Sequence, residues 1–216
     1  MHTSYPRKLS DLALAMGRSP GDLGPYLRHL PLWGRQPVDF AVPWFSFPAI
    51  RQLESHIRRD HQVFEFGSGG SSFFFAARAG HIVSVESHAD WHDRVQAVTR
   101  ERGITNLECE LHPLAGGKLA NYRSSPFFQR VLTGHWDIIV IDCFCGFADG
   151  SFGQLRRHAF ELSLNQVAPG GMIVLDDSWL YPELLGPRAG WEVHDFVGVG
   201  PCRYGVTSTA ILRRVA

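Results

Sequence analysis

The chain has 216 residues, 44% of them hydrophobic and 19% charged, with a formal net charge of zero. That composition excludes a disordered chain, fits a single domain with a full core, and lacks the basic footprint of a nucleic-acid binder. No apolar run reaches the roughly 18 residues of a membrane span, and the opening MHTSYPRKLSDLALAMG, broken by Asp11 and Arg18, does not resemble a signal peptide. The expectation is a cytoplasmic protein acting on a small molecule, with no nucleic-acid or membrane partner; nothing in the sequence fixes an oligomeric state.

Residues 1–60 are rich in proline and aromatic residues and read as a helical cap or lid over a main domain of residues 61–216. Within the cap, SDLALAMG predicts a short helix from a Ser10 N-cap to Gly17. FPAIRQLESHIRRD places Ile50, Leu53 and Ile57 at helical spacing. From His61 onward, β-rich runs at 62–66, 81–86, 107–111, 137–142 and 172–176 alternate with helical segments at 71–79, 89–102, 125–133 and about 152–167. Such alternation predicts an α/β fold with a doubly wound parallel sheet, covered on both faces. After residue 186, WEVHDFVGV and STAILRR follow each other without a helix, which predicts a terminal antiparallel hairpin.

The turn after the first strand reads Glu65, Phe66, Gly67, Ser68, Gly69, Gly70, Ser71, and a second acid, Glu86, ends the next strand 21 positions after Glu65. Glycines here permit positive φ and close approach of a ligand to the backbone. A strand-end carboxylate can accept two hydrogen bonds from a ribose diol. Both features suit a nucleoside at the carboxyl edge of an open sheet. A phosphate-binding loop of the Gly-Lys-Ser/Thr type is excluded, since no lysine is near. A dinucleotide fingerprint would put Ser72 at its third small position, and an acid beside the turn would repel a pyrophosphate but attract an ammonium or sulfonium.

In order, EFGSGGS, VSVES, WDIIVID, APGGMIVLDDS and the terminal hairpin resemble the class I S-adenosylmethionine-dependent methyltransferases over roughly residues 43–214. The resemblance implies a Rossmann-like seven-stranded sheet of order 3-2-1-4-5-7-6 with strand 7 antiparallel, and S-adenosylmethionine as cofactor. It implies Glu65, Gly67, Ser68 and Gly69 at the methionine end, with Ser71 completing the mouth. Glu86 would lie at the ribose hydroxyls, and Ser87 and His88 beside the adenosine. Past the third strand, adenine would meet Leu111, His112 or Pro113.

Methyl transfer to oxygen or nitrogen needs an aligned acceptor and a route for its proton. The acids at the ends of strands 4 and 5, Asp142 and Asp176, are the catalytic candidates. Here the chain resembles the metal-dependent small-molecule O-methyltransferases, with Asp177 standing where asparagine is usual; that resemblance implies a Mg²⁺ or Ca²⁺ ion on Asp142, Asp176 and Asp177. Arg156 would meet an acidic group on the substrate or Asp142 itself. Trp44, Phe45, Phe47 and Trp179 would wall the acceptor pocket or form satellite core. His88 and His92 lack a third ligand and read as a solvated face. Cys109, Cys143, Cys145 and Cys202 have neither zinc nor disulfide spacing and read as reduced thiols. The competing classes are an NAD(P)-dependent oxidoreductase and a non-catalytic cofactor-binding domain of the same fold.

Overall fold

The computed structural model describes residues 5–30, 36–114, 122–144 and 153–215. The N-terminal segment contains α1 (Tyr5–Arg18), α2 (Leu23–Arg28), α3 (Pro37–Phe40) and α4 (Phe47–His56). The predicted first helix starts earlier than Ser10, with Pro6 in the first turn, where its missing N–H costs nothing. Ser46 caps α4, its hydroxyl accepting from Ala49 N.

The rest runs β1 (Gln62–Phe66), α5 (Gly70–Ala76), β2 (His81–Glu86), α6 (Ala89–Glu101), β3 (Leu107–Leu111), α7 (Pro126–Gln129), β4 (Trp136–Ile141), α8 (Gln154–Gln166), β5 (Val167–Asp176), β6 (Trp191–Val199) and β7 (Val206–Arg214). The seven strands form one sheet of order β3-β2-β1-β4-β5-β7-β6. β1 pairs in parallel with β2 and β4, and β5 with β4; β7 runs antiparallel between β5 and β6. β5 begins at Val167, earlier than the predicted 172, because Val167 pairs with Trp136 before the register shifts.

Strand alternation divides the core into two layers. Phe64, Phe66, Ile139, Ile141, Ile173 and Leu175 face one side, with Phe127, Phe128, Leu155 and Phe160 from α7 and α8. Val63, Ile138, Val140, Met172 and Val174 face the other, with Phe74 and Phe75 of α5. Phe45, Ala49 and Leu53, from the predicted cap, belong to this second layer and are each 0% exposed. The N-terminal segment therefore covers one face of the sheet directly. Among the described residues, no helix is long and apolar enough to cross a membrane.

Candidate active site

The parallel strands β1, β2 and β4 end on one edge of the sheet, and a cavity of about 990 Å³ opens there. Its walls include Gly67 and Ser68 from the turn after β1, Glu86, Ser87 and His88 from the end of β2, Pro113 after β3, Asp142 after β4, and Asp177 after β5. This is the carboxyl-end crevice where open α/β sheets bind ligands.

Gly67 has φ +95°, and a Cβ there would lie 2.7 Å from the Asp142 carbonyl oxygen. Only glycine lets the turn fold back against the end of β4. Gly70, the first residue of α5, is tighter still: a Cβ would lie 2.0 Å from the Val42 carbonyl oxygen, so the N-terminal segment rests directly on this turn.

Glu86 is 5% exposed and organises both turns. Its Oε2 accepts from Ser68 N at 3.1 Å and Ser68 Oγ at 2.9 Å, and its Oε1 from Ser87 N at 2.7 Å and His88 N at 2.9 Å. A carboxylate has about four acceptor sites, so a hydroxyl group arriving at Glu86 finds a place by displacing the one rotatable donor among these four, the Ser68 hydroxyl.

Glu65 and Ser71, expected at the mouth, lie beneath it. In β1, Glu65 shares the face of Val63, and α5 covers that face. Glu65 is 0% exposed and accepts hydrogen bonds from the hydroxyls of Ser71, Ser72 and Ser84. Gly69 is covered by the Trp91 ring, whose Nε1 donates to the Ser68 carbonyl.

Burial pushes the Glu65 carboxyl up to about 7, against the pull of its three hydroxyl donors. With the folded pKa above the unfolded one, the native state keeps a proton that the unfolded chain releases. This contribution is complete below about pH 4.5 and is lost as pH rises through about 7, a change of roughly 3 kcal/mol. Glu65→Gln should therefore flatten the pH dependence of the melting temperature between those limits relative to wild type. Parallel profiles for the two proteins would show that Glu65 does not carry the proton.

Asp142 lies at the cavity wall with its side chain 22% exposed, and its Oδ1 accepts from Arg156 Nη2 at 2.8 Å. Arg156, on α8, also donates to the Cys143 carbonyl at 2.8 Å and the Asp176 carbonyl at 2.7 Å, tying the ends of β4 and β5 together. Of the two roles open to Arg156, the structure has the salt bridge. Burial raises the Asp142 pKa, and Arg156 opposes that rise. Asp176, the last residue of β5, lies on the face of Met172 and Val174 and does not line the cavity. It is 0% exposed, and its Oδ1 accepts from Thr209 Oγ1 at 2.9 Å. Burial and then the neighbouring Asp142 and Asp177 charges raise its pKa.

The expected metal site is corrected by what surrounds these acids. Arg156 holds Asp142, and Arg203, from the turn between β6 and β7, lies 3.5 Å from Asp176 Oδ2 and 3.1 Å from Asp177 Oδ1. Guanidinium groups hydrogen-bond Asp142 Oδ1 and Asp177 Oδ1 and stand close to Asp176 Oδ2, so positive charge already sits where a Mg²⁺ or Ca²⁺ ion would be needed. Among the described residues no three His, Cys, Asp or Glu side chains form a metal-holding group.

Other expectations sort themselves by geometry. Pro113 reaches the cavity, whereas His112 turns away, its Nε2 2.8 Å from Glu110 Oε2. His92 is no solvated residue: its side chain is 16% exposed and its Nε2 lies 3.2 Å from the Cys109 carbonyl. Trp44 lines the cavity, Phe45 and Phe47 are core, and Trp179 is exposed and lines a different hollow, with Asp195 and Val197. Cys109, Cys143 and Cys202 are buried; Cys145 lies outside the described residues. Sequence reasoning missed Gln36, Trp91, Arg94 and Phe144 in the walls and Arg203 behind them. Only Trp91 left a trace, as an apolar residue in the first turn of α6.

No family model matches the chain, and no curated protein matches it. Among solved structures it is similar to an O-methyltransferase from Bacillus cereus in complex with SAH, with 13% sequence identity, 99% of this chain and 93% of that chain covered, and a TM-score of 0.58. It is also similar to an rRNA methylase from Streptococcus thermophilus (12% identity, 84% and 98% covered, TM-score 0.55). A methyltransferase from Pyrococcus furiosus is a third (12% identity, 98% and 100% covered, TM-score 0.53). At these identities the likeness is one of fold: the chain has the Rossmann-like fold of the class I methyltransferases.

Proposed function

We propose that this chain is an S-adenosylmethionine-dependent methyltransferase that acts on a small-molecule acceptor, at oxygen. One observation carries the reading: in a sheet of methyltransferase order, a single cavity joins the Gly67 turn and Glu86 to Asp142. Among the described residues, the charged ones in the wall of that cavity are four carboxylates, Glu86, Asp90, Asp142 and Asp177, and two guanidiniums, Arg94 and Arg156. A net acidic lining favours a sulfonium over the pyrophosphate of a nicotinamide dinucleotide.

When bound, the cofactor supplies a methyl group already activated on sulfur. The chain then has to orient the acceptor and receive its proton. Asp142 is the residue for the proton: it is at the wall, held at one oxygen by Arg156, and burial makes it more basic than an ordinary aspartate. Trp44 and Phe144, 45% and 53% exposed, offer apolar wall to the acceptor. Zero net charge favours a small molecule over RNA as the acceptor.

A thermal-shift panel tests the cofactor. S-adenosylmethionine and S-adenosylhomocysteine should raise the melting temperature, and NAD and NADP should leave it unchanged. The opposite pattern would reassign the chain to the oxidoreductases. Once an acceptor is in hand, Asp142→Asn should lower kcat while S-adenosylhomocysteine affinity stays near the wild-type value. A variant with full turnover would remove Asp142 from the chemistry.

A further inference from the structure

The acids at the ends of β4 and β5 form an alternating cluster with two arginines. Arg156 Nη2 meets Asp142 Oδ1 at 2.8 Å, and its Nη1 lies 4.0 Å from Asp177 Oδ2. Arg203 Nη1 meets Asp177 Oδ1 at 3.1 Å and Thr207 Oγ1 at 2.5 Å, and its Nη2 lies 3.5 Å from Asp176 Oδ2. That Asp176 oxygen is buried and accepts no hydrogen bond among the described residues. Arg203 is itself only 18% exposed in its side chain, and its guanidinium lies 5.4 Å from the Trp44 ring centroid.

Three adjacent carboxylates need cationic compensation, which a divalent ion could supply through oxygen ligands. Here two fixed guanidiniums supply it. Arg156 has its Nε and Nη1 committed to the Cys143 and Asp176 carbonyls, so it serves chiefly as a brace between strands. Arg203 reaches Asp176, the last residue of β5, and Asp177 after it from a different element, with its Nε without a hydrogen-bond partner among the described residues. Its removal would leave Asp176 and Asp177 with Arg156 as their one neighbouring guanidinium among the described residues, 4.0 Å from Asp177 Oδ2.

We propose that Arg203 is the resident cation of this acid cluster, standing in for a divalent ion, so that the cluster takes up such an ion only when the Arg203 guanidinium is removed. A consequence, resting on the proposed methyltransferase activity, is that transfer runs without a metal. The ion-binding claim itself does not depend on that activity.

The probe is Mn²⁺ alone, followed by electron paramagnetic resonance of the free ion and by calorimetry, on wild type, Arg203→Met and Arg203→Lys. Wild type and Arg203→Lys, which keeps a cation, should show no saturable binding at millimolar Mn²⁺. Arg203→Met should bind Mn²⁺ more tightly than wild type by more than about tenfold, because a unit positive charge has gone from beside two carboxylates. Saturable binding to the wild-type protein overturns the proposal, whatever the variants do. So does a folded Arg203→Met protein, checked by a cooperative melt, that binds no more Mn²⁺ than wild type. If Arg203→Met does not fold, Arg203→Lys decides: it supports the proposal by excluding Mn²⁺ as wild type does and overturns it by binding the ion. S-adenosylhomocysteine titrated into wild type is read separately: failure there ends the methyltransferase reading and leaves the Mn²⁺ result standing.

Discussion

Replacing Glu86 with alanine should weaken S-adenosylhomocysteine binding by about 1.5–3 kcal/mol, the range for hydrogen bonds to a charged group, or roughly 10- to 150-fold in Kd. Two effects combine. The carboxylate that would hold the ribose hydroxyls is lost, and so is the acceptor that fastens Ser68 N, Ser87 N and His88 N. The Ser68→Ala protein separates them. It keeps the Ser68 N–H bond to Glu86 but removes the competing hydroxyl at 2.9 Å, which opens one acceptor position for the ligand. Its affinity should equal or exceed that of wild type. Calorimetry on both variants reads the difference. An unchanged Kd in Glu86→Ala would break the assignment of this cavity to the cofactor. A Ser68→Ala protein as weak as Glu86→Ala would make Glu86 a brace for the two turns rather than a ligand contact.

The strands and the terminal hairpin were legible because their signal is local: WDIIVI and GMIVLD can be satisfied only where both faces are covered. The glycine turn was legible for a similar reason, since Gly67 answers a backbone requirement that no other residue meets. The site residues were less so, because motif position gives a place along the chain and not a direction. The two-residue period of β1 already sets Glu65 with Val63, on the face that α5 covers, and the same period in β5 sets Asp176 with Val174. Alternation alone does not decide it, since Glu86 falls on the same face with Ile82 and still lines the cavity; α5 hydroxyls bury Glu65 and the pairing with β7 buries Asp176. Arg203 was beyond reach: it comes from a turn far along the chain, 26 residues after Asp177, and the pairing exists only once β7 lies beside β5. Asp177 hides a further local feature. It has φ +50°, a conformation that asparagine adopts more readily than most residues, and its carboxylate accepts from Arg203, Trp179 and Thr207. A carboxylate here, in place of the amide the resemblance leads one to expect, matches the arrival of Arg203.

A truncated chain beginning at Asp60 should fail to fold. The segment before it buries Phe45, Ala49 and Leu53 completely, against Val63, Phe75, Ile138, Val140 and Val174. Burial of a large apolar side chain is worth about 1.5–3 kcal/mol. Removing the segment forfeits that for Phe45 and Leu53 and uncovers the strand residues beneath them as well. Polar anchors go too: Ser46 N donates to Thr209 Oγ1 at 3.1 Å, Ser46 Oγ donates to the Phe196 carbonyl at 2.7 Å, and Trp44 Nε1 donates to the Cys202 carbonyl at 3.1 Å. The summed loss reaches the roughly 5–15 kcal/mol by which whole domains are stable, so the expected product is insoluble or lacks a cooperative melt. The point variant Phe45→Ala tests the same contact at smaller scale and should cost about 3–5 kcal/mol in urea unfolding. Were the truncated chain to melt cooperatively and bind S-adenosylhomocysteine like wild type, residues before 60 would be a detachable lid. Were it to melt cooperatively without binding, the segment would serve the site rather than the core. The close approach of Val42 to Gly70 ties it to both, since the wall of the cofactor turn and the cover of the sheet are the same stretch of chain.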